Sequence, residues 1–334
     1  MAYIYKKSVG DKAYFYLRIS KRIKGKVVVK DVAYLGTDPA KIESVLNSIQ
    51  QYKSEIRKGY KSIKKFIQSN YYLEKVKSKK IKSNPFIEVN LLGLLEATRL
   101  HYLDNILKLD SQSLQDVFKH FLIDFAFNST SIEGNTITLQ QANRLLTEDI
   151  LPKDKSLREV YDLQNTKTVF FDLMNSNSRL SENLVIKIHD KLLERIDVRK
   201  GYRNHDIRIF GSRFDVSPVK FIKTDMGLLF EWFNKHKKKL HPFILAGILH
   251  HKLETIHPFA DGNGRTGRIV LNYLLMKNKY PPLIVTKKNR KKYLQALSSA
   301  DKANLNSSDT KHYKKLITFL AEELIKSYWD NFNV

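Results

Sequence analysis

A mainly α-helical fold with a small β-rich module at its N-terminus is what this sequence predicts. Three observations lead there. Apolar residues recur at helical spacing from Asn90 onward, three Tyr- and Val-rich runs crowd the stretch before Asp38, and strand-like alternation returns only once, over 206–221. The 334 residues, 42% of them hydrophobic, suffice for one large or two modest domains with real cores, so a wholly disordered chain is excluded.

Taken in order, AYIYKK, AYFYLRIS and KVVVKDVAYLG read as three strands, joined by VGDK and IKGK, each with a glycine suited to a hairpin turn. Asp38 is placed to cap a helix and Pro39 suits its first turn; Ile42, Val45, Leu46, Ile49 and Tyr52 then follow helical spacing. KVKSKKIKSNP, Lys75 to Pro85, reads as a charged linker, which puts a boundary between a 1–82 module and an 83–334 domain. Leu114, Val117, Phe118, Phe121, Leu122 and Phe125 form one stripe on a helix, which Gly134-Asn135 can stop. Thr138 to Gln141 has the capping-box pattern that opens the next helix. Asp206 to Phe221 alternates around Gly211-Ser212 and reads as a short hairpin.

Composition narrows the function classes. The chain has no cysteine, so disulfide frameworks, thiolate zinc sites and cysteine nucleophiles are ruled out. No apolar run approaches the ~20 residues of a membrane span, and the start lacks an apolar secretory core; no membrane partner and a cytoplasmic location are the expectations. The net charge of +25 favours acidic partners, and residues 1–82 hold 21 Lys/Arg against 6 Asp/Glu. A nucleic-acid-binding role for 1–82 and an ordinary Lys-rich solvated surface both account for that excess.

The densest chemistry lies in HPFADGNGRTGR, His257 to Arg268. Ile244, Leu245, Ile248, Leu249 and Leu253 mark a helix that Pro258 ends, and RIVLNYLLM marks one that begins near Gly264, so ADGNG is a tight loop feeding a helix N-terminus. Unpaired first-turn N–H groups, the positive end of the helix dipole and close-approach glycines make that an anion site. Arg265 and Arg268 can both reach polyphosphate oxygens. Asp261 suits phosphate only across a divalent cation, which points to Mg²⁺ or Mn²⁺. His257, with a pKa near neutrality, suits a general base. His250 and His251 lack a carboxylate at matching spacing and read as structural.

These twelve residues match every specified position of the signature His-x-Phe-x-Asp/Glu-Gly-Asn-Gly-Arg-x-x-Arg, and so resemble the Fic family. The resemblance implies a Fic-type helical core and a protein adenylyltransferase that moves AMP from ATP to a Ser, Thr or Tyr hydroxyl of a target protein. It implies His257 as base, Phe259 as loop anchor, Asp261 as metal ligand and Gly262, Asn263 and Gly264 as anion hole. Arg265 then falls on the phosphates and Arg268 on the γ-phosphate. Doc-type kinases of the family carry lysine where this chain has Gly264, which favours nucleotidyl transfer here.

Three further stretches carry weaker likenesses. Within NSTSIEGN, Ser129, Glu133 and Gly134 resemble the family's inhibitory pattern, Ser/Thr-x-x-x-Glu-Gly/Asn, in the subclass whose inhibitory helix precedes the signature. That implies Glu133 competing with the γ-phosphate for Arg268, and the same glutamate removing AMP through an activated water. The 206–221 hairpin resembles the flap on which a target segment pairs, with Ile209, Phe210 and Gly211 touching the nucleotide. RKKYLQAL also resembles family sequence and makes Tyr293 a candidate for the adenine pocket. Self-modification and a homodimer are compatible with the resemblance. The competing expectation is a nucleic-acid-binding regulator whose Fic fold uses another nucleotide or is inactive.

Overall fold

The structure is a computed structural model and describes residues 1–10, 12–79, 81–208 and 216–332. Three antiparallel strands come first, β1 (Ala2–Val9), β2 (Lys12–Ile23) and β3 (Lys26–Gly36), in the order β1-β2-β3. Alternation puts Ile4, Phe15, Leu17, Ile19 and Leu35 on one buried face. The β2–β3 turn is the two residues Lys24 and Gly25, both with positive φ (49° and 80°), as a tight hairpin requires.

Asp38 accepts from the Ala40 N–H at 2.9 Å and starts a turn at Pro39, after which α1 (Ile42–Ser48) and α2 (Lys53–Lys77) close the module. Ile42, Leu46 and Ile63 pack on the inner face of the sheet. The 25-residue α2 takes in only Lys75 to Lys77 of the stretch read as linker, because Tyr72 and Val76 are buried against Ala97 of α3 (Val89–His101). Apolar burial there outweighs the lysines, which simply point outward. Helix α2 therefore belongs to both cores.

The remaining helices are α4 (Ser111–Ile132), α5 (Leu139–Glu148), α6 (Leu157–Met174), α7 (Glu182–Leu192), α8 (Ile222–His236), α9 (Pro242–Ile256), α10 (Asn263–Lys277), α11 (Arg290–Ser298) and α12 (Thr310–Asn331). Asp110, Thr138 and Ser156 cap α4, α5 and α6, the last two with complete capping boxes. Helices α9 and α10 bury almost every side chain, which places them at the centre of the bundle and the 257–262 loop at its end. Lys252 inside α9 donates to the carbonyls of Asn304, Leu305 and Ser307 (3.1, 2.5 and 2.8 Å) and so fixes the chain ahead of α12.

The hairpin expected over 206–221 is only partly in view. Ile209, Phe210 and Gly211 lie outside the described residues. The flanks 206–208 and 216–218 have no strand pairing, and Val219–Phe221 form a single 3-10 turn leading into α8.

Two glycines test this packing in opposite directions. A Cβ on Gly59 of α2 would lie 2.3 Å from the backbone oxygen of Ala2, whereas one on Gly227 of α8 meets nothing within 4 Å. Gly59→Ala is expected to destabilise by roughly 1–3 kcal/mol, because β1 must move. Gly227→Ala is expected to stabilise by about 0.5–1 kcal/mol through helix propensity. Urea denaturation of the two variants checks the signs; a stabilised Gly59→Ala protein contradicts the docking of β1 on α2.

Candidate functional site

The site is a loop between two buried helices, and its shape follows from a few contacts. His257 ends α9 in the left-handed conformation (φ 51°, ψ 58°), with its N–H still bonded to Leu253 O at 3.0 Å. Gly262 is also left-handed (φ 75°), and a Cβ there would lie 2.6 Å from Leu193 Cδ2, so both backbone and space demand glycine. Asn263 folds its side chain back across the loop, accepting from Phe259 N (2.9 Å) and donating to Phe259 O (2.8 Å). The buried Phe259 ring stacks on His189, centroids 3.8 Å apart and planes within 5°. His189 also contacts Asp261 O (3.1 Å), and Arg203 donates from Nε to His257 O (3.0 Å) and from its backbone N to Pro258 O (2.9 Å).

So held, the loop presents the first turn of α10. The N–H groups of Asn263, Gly264 and Arg265 precede the first helical hydrogen bond, from Thr266 N to Gly262 O at 2.9 Å, and carry the positive end of the dipole. The Glu133 carboxylate lies over this end: a Cβ on Gly264 would sit 2.2 Å from Glu133 Oε1. Arg268, buried to 3% exposure, donates from Nη2 to Glu133 Oε1 (2.7 Å) and to Ser129 O (2.8 Å), and from Nε to Ser129 Oγ (3.0 Å). Glu133 and Ser129 are thus brought to Arg268 from the end of α4. Burial alone would lower the Arg268 pKa; Glu133, Tyr293 and Glu254 beside it reverse that and hold it above its ordinary value.

His257 faces its Glu254 carbonyl through Nδ1 (3.3 Å). With the proton on Nδ1, Nε2 remains as acceptor. Burial pushes the imidazole below its ordinary value, against smaller opposing effects of the Glu254 carbonyl and the Glu133 carboxylate, so the ring is neutral and basic near pH 7. Asp261 accepts from Gly262 N (2.6 Å), and its second oxygen pairs with Arg158, a side chain 55% exposed. Burial works to raise the Asp261 pKa, but Arg265, Gly262 N–H and Arg158 outweigh it and keep the carboxylate ionised. Among the described residues no three His, Cys, Asp or Glu side chains converge as a metal cage. One carboxylate with a displaceable partner does fit Mg²⁺ or Mn²⁺, which draws most of its ligands from substrate phosphates and water.

Some expected contributors stand elsewhere. The Asn263 side chain is spent on the loop, leaving its backbone N–H for an anion. Arg265 is turned to Asp162 and, at 3.6 Å, to Asp261, with 2% of its surface exposed. Tyr293 is not an open stacking surface: it is 1% exposed and its hydroxyl lies 2.7 Å from His250 Nε2, so it belongs to the support beneath Arg268. Sequence reasoning missed Arg203, His189 and Glu254. Glu254 is one turn before His257 and reaches α10 only because Gly267 has no side chain; a Cβ there would be 2.3 Å from Glu254 Oε1. Burial pushes the Glu254 carboxyl up to about 7, even with Arg268 near.

Comparison with known proteins agrees with this geometry. Residues 179–275 match the model of the Fic/DOC family. Protein adenylyltransferase Fic of Aedes aegypti is 31% identical over 229 residues, 65% of this chain and 44% of that protein; its Drosophila melanogaster counterpart is 30% identical over 231 residues, again 65% and 44%. The chain thus spans less than half the length of these curated relatives. Among solved structures, a Fic domain-containing signaling protein from Bacteroides thetaiotaomicron superposes with a TM-score of 0.63 at 23% identity, covering 71% of this chain and 95% of that one. Fic-1 from C. elegans gives 0.57 at 21% identity, covering 87% of each. At these identities the structures establish a shared fold.

Glu254 provides a test of the buried network. A carboxyl whose pKa rises on folding binds more protons folded than unfolded, so stability falls as pH climbs from about 4.5 to about 7 and levels off above. Glu254→Gln, which cannot ionise, is expected to lose distinctly less stability between pH 5 and pH 8 in chemical denaturation. An identical fall in both proteins contradicts a buried, proton-bound Glu254.

Proposed function

With a Fic/DOC-family domain at residues 179–275 as the premise, we propose that this protein transfers AMP from ATP to a hydroxyl side chain of a target protein and that Glu133 restrains it. The observation that carries the reading is the pairing of Glu133 with Arg268 above the N-terminus of α10 at 2.7 Å, beside a neutral His257. The adenylyltransferase names of the curated relatives support the reaction class.

The chemistry follows from the placement of groups. The first-turn N–H groups of α10 bind the polyphosphate, and Arg268 takes its γ end when Glu133 gives way. His257 Nε2 accepts the proton of the target hydroxyl as that oxygen attacks the α-phosphorus. The bond from that phosphorus to the bridging oxygen breaks and pyrophosphate leaves, so atoms and charge balance. Asp261 is the residue that would hold Mg²⁺ or Mn²⁺ in place of its contact with Arg158, and the ion would supply neutralisation of phosphate charge. Arg203 sets the base, since it grips the carbonyl of His257 while donating to His205 O and Ser217 O on the two sides of 209–215. Target docking belongs in this reading to the 206–221 stretch, whose Ile209, Phe210 and Gly211 lie outside the described residues. The protein itself is one available target. A cytoplasmic setting supplies the nucleotide and cation, and the described residues include no helix long and apolar enough to cross a membrane.

The proposal includes a second use for Glu133. A carboxylate over the α10 terminus and next to His257 can orient water toward a bound AMP ester, which reverses the modification. A homodimer is compatible with this scheme and is not required by it.

Incubation with ATP, GTP, CTP or UTP and Mg²⁺ or Mn²⁺, followed by mass spectrometry, tests the scheme. His257→Ala is expected to lose at least about 100-fold in AMP transfer, the low end for a general base. Glu133→Gly is expected to gain about 5–150-fold, the range of a 1–3 kcal/mol coupling. Transfer that survives His257→Ala refutes the enzyme; equal labelling of parent and Glu133→Gly refutes the restraint.

A further inference from the structure

The β2–β3 hairpin extends past the rest of its sheet. Ala2 of β1 pairs with Ile19, and from Lys21 to Lys30 the two strands pair only with each other. At ~3.3 Å per residue the free ribbon reaches roughly 10 Å beyond β1. Residues 20–30 contain five Lys or Arg and no Asp or Glu. Lys21 approaches Glu55 at 4.0 Å, while Arg22, Lys24, Lys26 and Lys30 have no carboxylate partner among the described residues.

The same ribbon carries apolar surface that nothing covers. Val27, Val28 and Val29 are 67, 47 and 45% exposed, a β-branched run on an open sheet edge. Such an edge ordinarily invites pairing with other chains, and the flanking lysines guard against it. Arg22, Val27 and Val29 share the outer face with the Tyr16–Tyr34 pair, whose rings are 5.3 Å apart. Cations and exposed methyl groups therefore alternate along one narrow projection, with the tyrosine pair at its base.

We propose that this ribbon is a docking surface for double-helical DNA, entering the major groove. A B-form major groove, about 12 Å wide and 8.5 Å deep, admits a two-stranded ribbon of this reach. Arg22, Lys24, Lys26 and Lys30 supply the contacts to the phosphate walls, and Val27 and Val29, which share one face, meet thymine methyl groups at the groove floor. An A-form RNA duplex closes its major groove to side chains, and a single strand offers no groove, so the shape selects B-form DNA among polyanions. The inference stands apart from the AMP-transfer reading, since none of these residues belongs to that site.

The test uses the full-length protein and a fluorescein-labelled 20-bp DNA duplex, with anisotropy read from 50 to 300 mM salt. One variant combines Arg22→Gln, Lys24→Asn, Lys26→Gln and Lys30→Gln; asparagine suits the positive φ of residue 24. A charge-matched control neutralises the exposed Lys235, Lys237, Lys238 and Lys239 instead. The ribbon variant is expected to bind at least tenfold more weakly at 100 mM salt and to flatten the log–log salt slope by about 3–4, near 0.9 per lost phosphate contact. The control is expected to leave the slope unchanged. A single Arg22→Gln variant should flatten it by about one. The proposal is overturned if the parent does not bind the duplex, or if ribbon and control variants weaken alike. Equally tight binding of an RNA duplex, a single strand, polyglutamate or phosphatidylserine vesicles also overturns it, because the ribbon would then read charge alone.

Discussion

A guanidinium buried at 3% exposure needs a negative partner, and the architecture around the candidate site follows from how Arg268 finds one. An unpaired charge at that depth is costly, while a paired and fully hydrogen-bonded one is tolerable. Ser129 supplies two hydrogen bonds and Glu133 the charge, both from the last turns of α4. Glu254, buried on the other side and pushed up to about 7, is only partly ionised at neutral pH and makes no hydrogen bond to Arg268. Arg268 is therefore left with one strong anionic partner, and a nucleotide γ-phosphate is chemically suited to replace it.

The loop itself is rigid for a different reason. Each of its turns is held by a contact with another element: His189 stacks on Phe259, Asn263 clamps the Phe259 peptide, and Arg203 holds the His257 carbonyl. Those bonds offset the strain of a left-handed His257 and leave its Nε2 unengaged. Positioning of this kind lets one imidazole act without a dedicated carboxylate orienting it. The Glu133–Arg268 contact, by contrast, hangs on a glutamate whose side chain is 43% exposed. A held imidazole beside an exposed carboxylate over the anion site is the combination on which the proposed restrained transfer rests.

How much of this was legible in the chain depends on the distance over which each contact is made. The twelve residues from His257 to Arg268 form a loop and one helical turn, so their spacing alone conveys a base, an anion cradle and two arginines. Ser129 and Glu133, at the end of α4, read by themselves as an ordinary helix stop, and only the resemblance to the family's inhibitory pattern linked them to Arg268. His189 and Arg203 were not legible, since each reaches the loop from more than 50 residues away in sequence and neither sits in a distinctive pattern. The surroundings of Tyr293 were hidden for the same reason: only tertiary packing shows its hydroxyl turned inward to His250. The lysines of 75–82 suggested a linker, but two buried side chains, Tyr72 and Val76, carry α2 through to the bundle.

The central claim is that Glu133 and the γ-phosphate contend for Arg268, and ligand affinity tests it without reference to any target protein. Titration calorimetry of ATP and of ADP against the parent and Glu133→Gln separates the γ-phosphate from the rest of the nucleotide. Competition at Arg268 predicts that Glu133→Gln tightens ATP binding and leaves ADP binding nearly unchanged. An equal gain for both nucleotides, or none for either, would contradict it.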